Sequence, residues 1–231
     1  MTSILFLIPS LASRGAERVL VNLVNNLDKE RYQVTVQTLF DVGELRHSLS
    51  PEVTYRRGLP FLVRGNVQLL KLFSPEYLYR LVVGRRYDIV VAYLEGVVSR
   101  IISGCPYPDS RKVAWVHIEQ HDILTLSHCY RNPEEALRCY QRFDRVVAVS
   151  DTVRSDFQRL TSIDCEVLYN INEDEQIRRL AQEPIENLTF STDNNLICVA
   201  RLDPLKGLDR LIRVHRRLLD AGIRNHVYLL G

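Results

Sequence analysis

The sequence predicts an α/β fold organised around a doubly wound parallel sheet. Short apolar runs alternate with longer amphipathic segments along nearly the whole chain, and several runs, such as ILFLI, IVVAY and LICVA, are apolar throughout. Continuous apolar runs are typical of strands that a parallel sheet buries on both faces. Repeated strand–helix–strand units then imply helices on both sides of that sheet.

Each predicted element follows from its own pattern. Apolar residues recur at helical spacing in residues 16–27, 151–160 and 208–219, which predicts three helices. Residues 66–86 are basic and amphipathic despite Pro75. A helix pair packed on the sheet and a membrane-surface segment both explain that composition. The predicted strands are residues 3–8, 33–39, 88–93, 112–116, 145–149, 166–169, 195–199 and 226–230.

A change in composition near residue 172 predicts the domain organisation. Residues 172–194 are acidic and polar and contain Pro184, which is typical of an interdomain connection. We therefore expect a first domain at residues 1–171 and the start of a second at residues 195–231. One strand–helix–strand unit cannot bury both faces of its sheet, so we expect the chain to stop inside this second domain.

Composition limits the classes of function and compartment. The 231 residues are 46% hydrophobic and 25% charged, which is ordinary for a soluble globular protein. A net charge of +2 gives no reason to expect nucleic acid as a partner. The five cysteines include no C-x-x-C pair, which indicates a reducing cytoplasm and neither zinc nor disulfides. The apolar run before Pro9 is too short for a signal peptide or membrane span.

Ligands of open α/β sheets bind beyond the carboxyl ends of the strands, so the first candidate residue is Gly15. A glycine at the start of a helix lets the backbone approach an anion, which the helix N-terminus favours. A glycine that begins a helix for purely local reasons explains the pattern equally well. The dinucleotide fingerprint G-x-G-x-x-G is missing from this loop.

A second group of candidates follows the strand predicted at residues 112–116. His117 with the nearby carboxylates Glu119 and Asp122 could act as base and orienting group, or bind sugar hydroxyls. A histidine at the edge of the core is the alternative explanation. His117 and His121 lack an H-E-x-x-H pattern and a third ligand, so we expect no metal.

The strand predicted at residues 195–199 leads into the loop RLDPLKG, which carries Arg201 and Lys206. An arginine can bind a diphosphate through two parallel hydrogen bonds, and a lysine adds a mobile point charge. A solvated loop at the start of a helix is the other explanation. No G-x-S-x-G or Walker motif occurs, which argues against acyl transfer and ATP hydrolysis.

Five segments in order resemble glycosyltransferase family 4 (glycosyl transferases group 1), whose members have the GT-B fold. They are LFLIPSLASRGAERVLVNLVNNL, VAWVHIEQHD, VVAVSDTVRSDF, VLYNIN and VARLDPLKGLDRLI. The resemblance implies a complete N-terminal Rossmann-like domain, followed by the first β-α-β unit of a second one. It also implies a retaining enzyme that uses a UDP- or GDP-sugar as donor.

The resemblance implies a role for each candidate residue. Gly15 would lie against the donor phosphates, and His117 would reach the sugar or the acceptor. Arg201 and Lys206 would neutralise the departing diphosphate, so no metal or other cofactor is expected. Asn170 would serve as a hinge between the domains. The residues expected on the acceptor side are Arg14, which replaces one of the family's paired glycines, Glu119 and Asp122.

The resemblance also implies partners for the chain, and alternative functions stay open. The resemblance implies a nucleotide-sugar donor, a glycan or lipid-linked acceptor in cell-surface polysaccharide synthesis, and peripheral contact with the inner face of the membrane. The family's Glu-x7-Glu segment is expected beyond Gly231, so we expect little activity from this chain alone. The alternatives are a non-catalytic remnant or partner subunit of a split transferase, and a GT-B nucleotide-sugar epimerase.

Overall fold

The computed structural model describes residues 1–12, 15–58, 66–185, 190 and 194–231, with only the backbone described at residues 66 and 67. The chain forms two compact units, Met1–Asp174 and Glu175–Gly231. The domain boundaries expected at residues 171 and 194 stay predictions.

The first unit contains a seven-stranded sheet in which every neighbouring pair is parallel. Its strands are β1 (Thr2–Ile8), β2 (Tyr32–Thr38), β3 (Thr54–Arg56), β4 (Ile89–Tyr93), β5 (Arg111–Val116), β6 (Arg145–Ala148) and β7 (Glu166–Val167). They lie in the order β3-β2-β1-β4-β5-β6-β7.

Helices connect these strands, together with a 3₁₀ helix at Leu45–Ser48. The described helices of this unit are α1 (Gly15–Asn26), α2 (Asn66–Leu70), α3 (Pro75–Val82), α4 (Val97–Ser103), α5 (Ile123–Leu126), α6 (Pro133–Tyr140) and α7 (Asp151–Thr161). A further helix, α8 (Asp174–Leu180), begins at the last residue of the unit.

Both faces of the sheet are covered, which explains why the central strands β1 and β4 are apolar over most of their length. Alternate residues of β1 enter different clusters: Ile4, Phe6 and Ile8 pack with α1, whereas Leu5 and Leu7 pack with α3 and α4. Successive side chains of a strand point to opposite faces, so burial on both faces favours apolar residues at successive positions. The predicted doubly wound parallel sheet is confirmed.

The outer strands differ from the prediction. Strand β3 was not predicted, because its three residues are Thr-Tyr-Arg and pair with β2 at the edge of the sheet. Strand β7 covers two residues instead of the four expected, because its pairing with β6 ends at Val167. Edge strands are often short, which limits pairing with other chains.

A buried charge joins three parts of the first unit. The Arg100 side chain, on α4, is completely buried, and its Nη2 donates to Glu135 Oε1 of α6 at 2.9 Å. The same guanidinium donates to the carbonyl oxygens of Leu70, at 2.9 Å, and Phe73, at 2.7 Å. Arg100 therefore ties α4 and α6 to the connection between α2 and α3.

The second unit contains one β-α-β unit among its described residues. Strands β8 (Asn194–Val199) and β9 (Asn225–Leu230) pair in parallel over six residues, and α9 (Leu208–Asp220) connects them. Ile197 and Val199 of β8 remain 64% and 75% exposed. Within the described ranges of both units, every helix is too short or too polar to cross a bilayer.

The Arg100–Glu135 pair predicts a large difference between two Glu→Ala substitutions. Glu135→Ala leaves the buried Arg100 charge uncompensated and should lower the free energy of unfolding by about 3–5 kcal/mol. Glu166→Ala removes the exposed partner of Arg145 and should cost less than about 1 kcal/mol. Urea unfolding followed by circular dichroism measures both values. Equal losses in the free energy of unfolding would contradict the conclusion that Glu135 compensates a buried charge on Arg100.

Candidate functional site

The order of the strands reverses between β1 and β4. From β1 the chain proceeds to β2 and β3 on one side, whereas β4 to β7 lie on the other side. The connections after β1 and β4 therefore leave the sheet in opposite directions and open a crevice at its carboxyl edge. Ligands of open α/β sheets bind at such a switch point. The residues after β1, β4 and β5 are accordingly the first to consider.

Gly15 begins α1 on the β1 side of this crevice. No described atom lies within 4 Å of the position that a Cβ would take at Gly15. Packing among the described residues therefore does not require glycine there, while the open space suits close approach of a ligand. Arg14, the neighbouring candidate, lies outside the described residues.

The connection after β4 carries a partly buried carboxylate, Glu95. Leu94 has a φ of 115°, a conformation that costs a bulky residue on the order of 1–3 kcal/mol. At the next residue, Glu95 Oε1 accepts the backbone N–H groups of His117, at 2.6 Å, and Ile118, at 2.5 Å. Burial raises the pKa of Glu95, and these two N–H donors counter part of that effect. Glu95 thus fixes the first two residues after β5.

The His117 imidazole lies in an aromatic cluster at the end of β4 and β5. Its ring centroid is 4.6 Å from that of Tyr93 and 6.4 Å from that of Trp115. Burial lowers the pKa of His117 to about 4, so the ring is neutral at pH 7. A neutral imidazole can exchange hydrogen bonds with a hydroxyl group or accept a proton from it.

Three buried polar atoms of this cluster have no hydrogen-bond partner among the described residues. They are His117 Nε2, the Tyr93 hydroxyl and Trp115 Nε1. Buried polar atoms are nearly always satisfied in folded proteins, so three exceptions in adjoining rings mark an unusual environment. This environment distinguishes His117 from a histidine that is merely satisfied at the edge of the core.

A cavity of about 150 Å³ links the aromatic cluster to α1 and to the segment after β7. Asn170, the expected hinge residue, lies in its wall beside Leu168, Tyr169 and Ile171. The remaining lining residues are Val19 and Leu23 of α1, Tyr93 of β4 and Trp115 of β5. The cavity is therefore mainly apolar, and the hinge role of Asn170 stays a prediction.

The carboxylates that follow His117 have different surroundings. Asp122 caps α5, because its Oδ1 accepts the Thr125 N–H at 2.8 Å and its Oδ2 accepts the Thr125 hydroxyl at 2.9 Å. Hydrogen bonds from Thr125 lower the pKa of Asp122. This capping role is one that the sequence interpretation did not include. Glu119 is exposed.

Glu119 also belongs to a group of side chains that could hold a metal ion. One ligand atom each of Glu119, His121 and Asp156 lie within 4.8 Å of one another, which supplies the third ligand that the sequence pattern lacked. The Arg159 guanidinium, however, donates to Asp156 at 3.1 Å and to the carbonyl oxygen of His121. This cation competes with a metal for the same carboxylate. The expectation that no metal is needed stays a prediction.

Arg201 and Lys206 lie on one loop at the carboxyl end of β8. Asp203 Oδ1 accepts the Leu205 N–H at 2.9 Å and caps a 3₁₀ helix at Pro204–Lys206, after which Gly207 has a φ of 65°. Both cations are exposed, and Arg201 lies 3.9 Å from Asp203. A depression of about 330 Å³ adjoins the loop and is lined by Leu202, Asp203, Pro204, Leu208 and Asp209.

The family model of Glycosyltransferase Family 4 matches residues 13–172, which include the crevice of the first unit. The chain belongs to Glycosyltransferase Family 4. No curated protein sequence matches it.

Solved structures agree with the GT-B fold of this family 4 chain. The N-terminal domain of the trehalose-6-phosphate phosphatase of Candida albicans is 12% identical with a TM-score of 0.63, and matches 99% of this chain and 64% of its own. The UDP-forming trehalose-phosphate synthase of Burkholderia xenovorans is 12% identical with a TM-score of 0.60 and has the same coverage.

A glycosyltransferase of Rickettsia africae is 11% identical with a TM-score of 0.58, and matches 100% of this chain and 69% of its own. Identities this low show the fold alone. The chain spans about 64% of the length of the first two structures.

Sequence interpretation missed Glu95, although the rule that identified the other candidates would have found it. Glu95 lies two residues after the strand predicted at residues 88–93, at the same edge as His117. The sequence does not reveal the turn at Leu94, next to which the Glu95 carboxylate accepts the His117 N–H from the connection after β5.

Replacing Glu95 should loosen the connection that carries His117. Glu95→Ala leaves two backbone N–H groups without their acceptor and should lower the free energy of unfolding by about 2–4 kcal/mol. Glu30→Ala, at an exposed position, should change it by less than about 0.5 kcal/mol. Hydrogen exchange supplies a local readout, because the amides of His117 and Ile118 should lose protection in Glu95→Ala. Unchanged protection would contradict the clamp.

The neutral His117 ring predicts a specific pH dependence of stability. The folded pKa, about 4, lies below the unfolded value of about 6.5, so the unfolded state binds the proton first as the pH falls. The contribution is therefore present above about pH 6.5 and is lost between about pH 6.5 and 4.

Between pH 7 and 5 the wild type should lose about 1–2 kcal/mol more stability than His117→Asn. The free energy of unfolding is measured by urea titration at each pH, and the values for His117→Asn are subtracted from those for the wild type. This difference largely removes the opposing contribution of Glu95, whose raised pKa favours the folded state at lower pH. Leu124→Asn, an exposed position on the same connection, should follow the wild type. Identical slopes for wild type and His117→Asn would show that the ring titrates as if exposed.

Proposed function

We propose that this family 4 chain handles donor and acceptor in a retaining glycosyltransferase. Its donor is a UDP- or GDP-sugar, and its acceptor is a glycan or a lipid-linked glycan in cell-surface polysaccharide synthesis. The observation that carries the proposal is the crevice between β1 and β4, where Glu95 holds the connection of an uncharged His117. Family membership supports glycosyl transfer as the class of reaction.

The proposed step breaks the bond between the sugar's anomeric carbon and the diphosphate and forms a bond to an acceptor oxygen. Negative charge grows on the diphosphate, and Arg201 and Lys206 stabilise that charge, so no metal or other cofactor is required. The departing phosphate assists attack on the same face, and the anomeric configuration is retained. The acceptor hydroxyl transfers its proton to the departing phosphate oxygen in the same step.

The first unit supplies contacts to neutral parts of the substrates. His117 exchanges a hydrogen bond with a hydroxyl group of the donor sugar or the acceptor. Gly15 leaves space for the donor phosphates at the N-terminus of α1. Arg14 and Glu119 are the proposed acceptor-side residues, together with Asp122, whose carboxylate also caps α5. We place the enzyme in the cytoplasm, in peripheral contact with the inner face of the membrane.

The test separates transfer from the two other activities considered. Purified protein is incubated with radiolabelled UDP- and GDP-sugars, with and without a lipid-linked glycan extract, and both nucleotide release and glycan labelling are measured. Transfer requires the acceptor, and NMR of the product reports whether the configuration is retained. A sugar epimerised without acceptor would overturn the proposal in favour of an epimerase. Nucleotide binding without turnover would agree with the little activity expected of this chain alone, and turnover restored by a second protein would favour a partner subunit.

The two cations of the β8 connection should dominate donor use. Arg201→Ala and Lys206→Ala should each lower kcat/KM by about 100-fold, because each removes stabilisation of the charge on the leaving group. Arg217→Ala, an exposed cation on α9, should stay within about twofold of the wild type. Calorimetric titration with UDP and GDP tests the same residues through affinity. Equal effects of all three substitutions would contradict a specific phosphate site.

A further inference from the structure

The cavity between α1 and the segment after β7 has two unsatisfied polar atoms in the residues of its wall. Tyr93 and Trp115 line it, and the Tyr93 hydroxyl and Trp115 Nε1 are buried without a hydrogen-bond partner among the described residues. The whole of Tyr93 is inaccessible to solvent. Buried polar atoms are nearly always paired, and small-molecule sites are typically apolar cavities with a few polar groups. The two atoms therefore indicate a site for a ligand.

The polar atoms of the wall define the hydrogen bonds that this ligand makes. An indole N–H can only donate a hydrogen bond. Burial raises the pKa of Tyr93, so its hydroxyl keeps its proton at neutral pH and can donate as well. Two donors in one wall require an acceptor oxygen on the ligand. An ammonium group, which only donates, does not meet this requirement.

The charge of the wall restricts the ligand further. None of the residues described as lining the cavity carries a charged side chain. A phosphate or carboxylate would lose its hydration in the cavity without gaining a cation, which is costly. The group that enters the cavity is therefore neutral.

The rest of the wall calls for a methyl group and an N–H. Val19 and Leu23 of α1 form one apolar side of the cavity, and Leu168 and Ile171 form the other. Between the latter two, Asn170 contributes a side-chain amide, which can accept a hydrogen bond as well as donate one. A neutral group with a carbonyl oxygen, an N–H and a methyl is an acetamido group.

The size of the cavity agrees with a substituent and not with a whole sugar. Cavities of about 150 Å³ bind molecules about as large as benzene. Hydrogen bonds hold the outer wall in place: the Leu168 N–H donates to the Ala148 carbonyl oxygen at 2.9 Å, and the Tyr169 hydroxyl donates to Asp151 at 2.7 Å. An acetamido group fits this volume, while the sugar ring that carries it stays outside.

We propose that this cavity binds the acetamido group of an N-acetylated sugar in the acceptor. The Tyr93 hydroxyl and the Trp115 N–H donate to its carbonyl oxygen, and its methyl group packs on Val19 and Leu23. The Tyr93 ring also lies 4.6 Å from that of His117, so the same sugar lies beside the imidazole. Binding rests on the cavity alone, whereas the assignment to the acceptor rests on the proposed function.

The experiment is saturation-transfer NMR of the purified chain with two disaccharides, in the absence of donor. N,N′-diacetylchitobiose carries acetamido groups, and cellobiose has hydroxyls in their place. The acetyl methyl protons should receive the strongest saturation, because they enter the cavity. Cellobiose should bind about tenfold more weakly or not at all, since it leaves the buried donors unpaired.

A pair of Tyr→Phe variants tests the hydroxyl. Tyr93→Phe keeps the ring and should weaken binding of N,N′-diacetylchitobiose by about tenfold, with no loss of stability, because the hydroxyl has no partner in the protein. Tyr130→Phe is the matched control: its hydroxyl is also buried and unpaired, but it lies in a different cluster of the core. This variant should bind the disaccharide like the wild type.

A second pair of variants tests the volume. Leu23→Phe places a larger side chain in the wall of the cavity and should weaken binding by about tenfold or more, because it occupies the space of the methyl group. Leu27→Phe changes a half-buried residue that packs beside α1 without lining the cavity, and it should have no effect on binding.

Three results would overturn the proposal. The first is equal binding of both disaccharides. The second is a loss of stability in Tyr93→Phe with unchanged binding, which would assign the hydroxyl to an internal water molecule. The third is a loss in Tyr93→Phe confined to UDP-N-acetylglucosamine, which would assign the cavity to the donor. Since binding is measured without transfer, a failure here is distinguishable from a failure of the transferase proposal.

Discussion

Parallel pairing across all seven strands sends every strand-to-helix connection of the first unit to one edge of the sheet. The candidate residues of the first unit follow β1, β4, β5 and β7 and so gather there, although up to 155 residues separate Gly15 from Asn170. The reversal of strand order between β1 and β4 then opens a crevice at that edge. The topology of the sheet alone therefore brings the candidate residues of the first unit to one edge.

Local strain at this edge is offset by local hydrogen bonds. The φ of 115° at Leu94 costs on the order of 1–3 kcal/mol, whereas an ordinary intramolecular hydrogen bond contributes about 0.5–1.5 kcal/mol. Glu95 makes two such bonds, to the backbone of His117 and Ile118, so the strained turn can persist. The same contacts hold the start of the connection that carries His117. Glu95 therefore connects the strained turn at Leu94 to the position of His117.

The features that the sequence predicted arise from local patterns, whereas most of those that it missed arise from backbone conformation or long-range contacts. Burial on both faces leaves a continuous apolar run, so the core strands could be predicted from the sequence. The edge strand β3 has no such run and could not be predicted. The Asp122 cap follows a local sequence rule and could have been found. The turn at Leu94 and the pairing of Arg100 with Glu135 depend on backbone conformation and long-range contact, which one sequence does not show.

Charge divides the candidate residues between the two units. In the described part of the first unit the candidates are acidic or uncharged, and burial keeps His117 neutral at pH 7. In the second unit both candidates, Arg201 and Lys206, are exposed cations held on one capped loop. A neutral imidazole discriminates hydroxyl groups by hydrogen bonding, while cations stabilise a departing diphosphate. This division matches the proposed transfer, in which residues of the first unit bind neutral hydroxyl groups and residues of the second stabilise the charge of the leaving diphosphate.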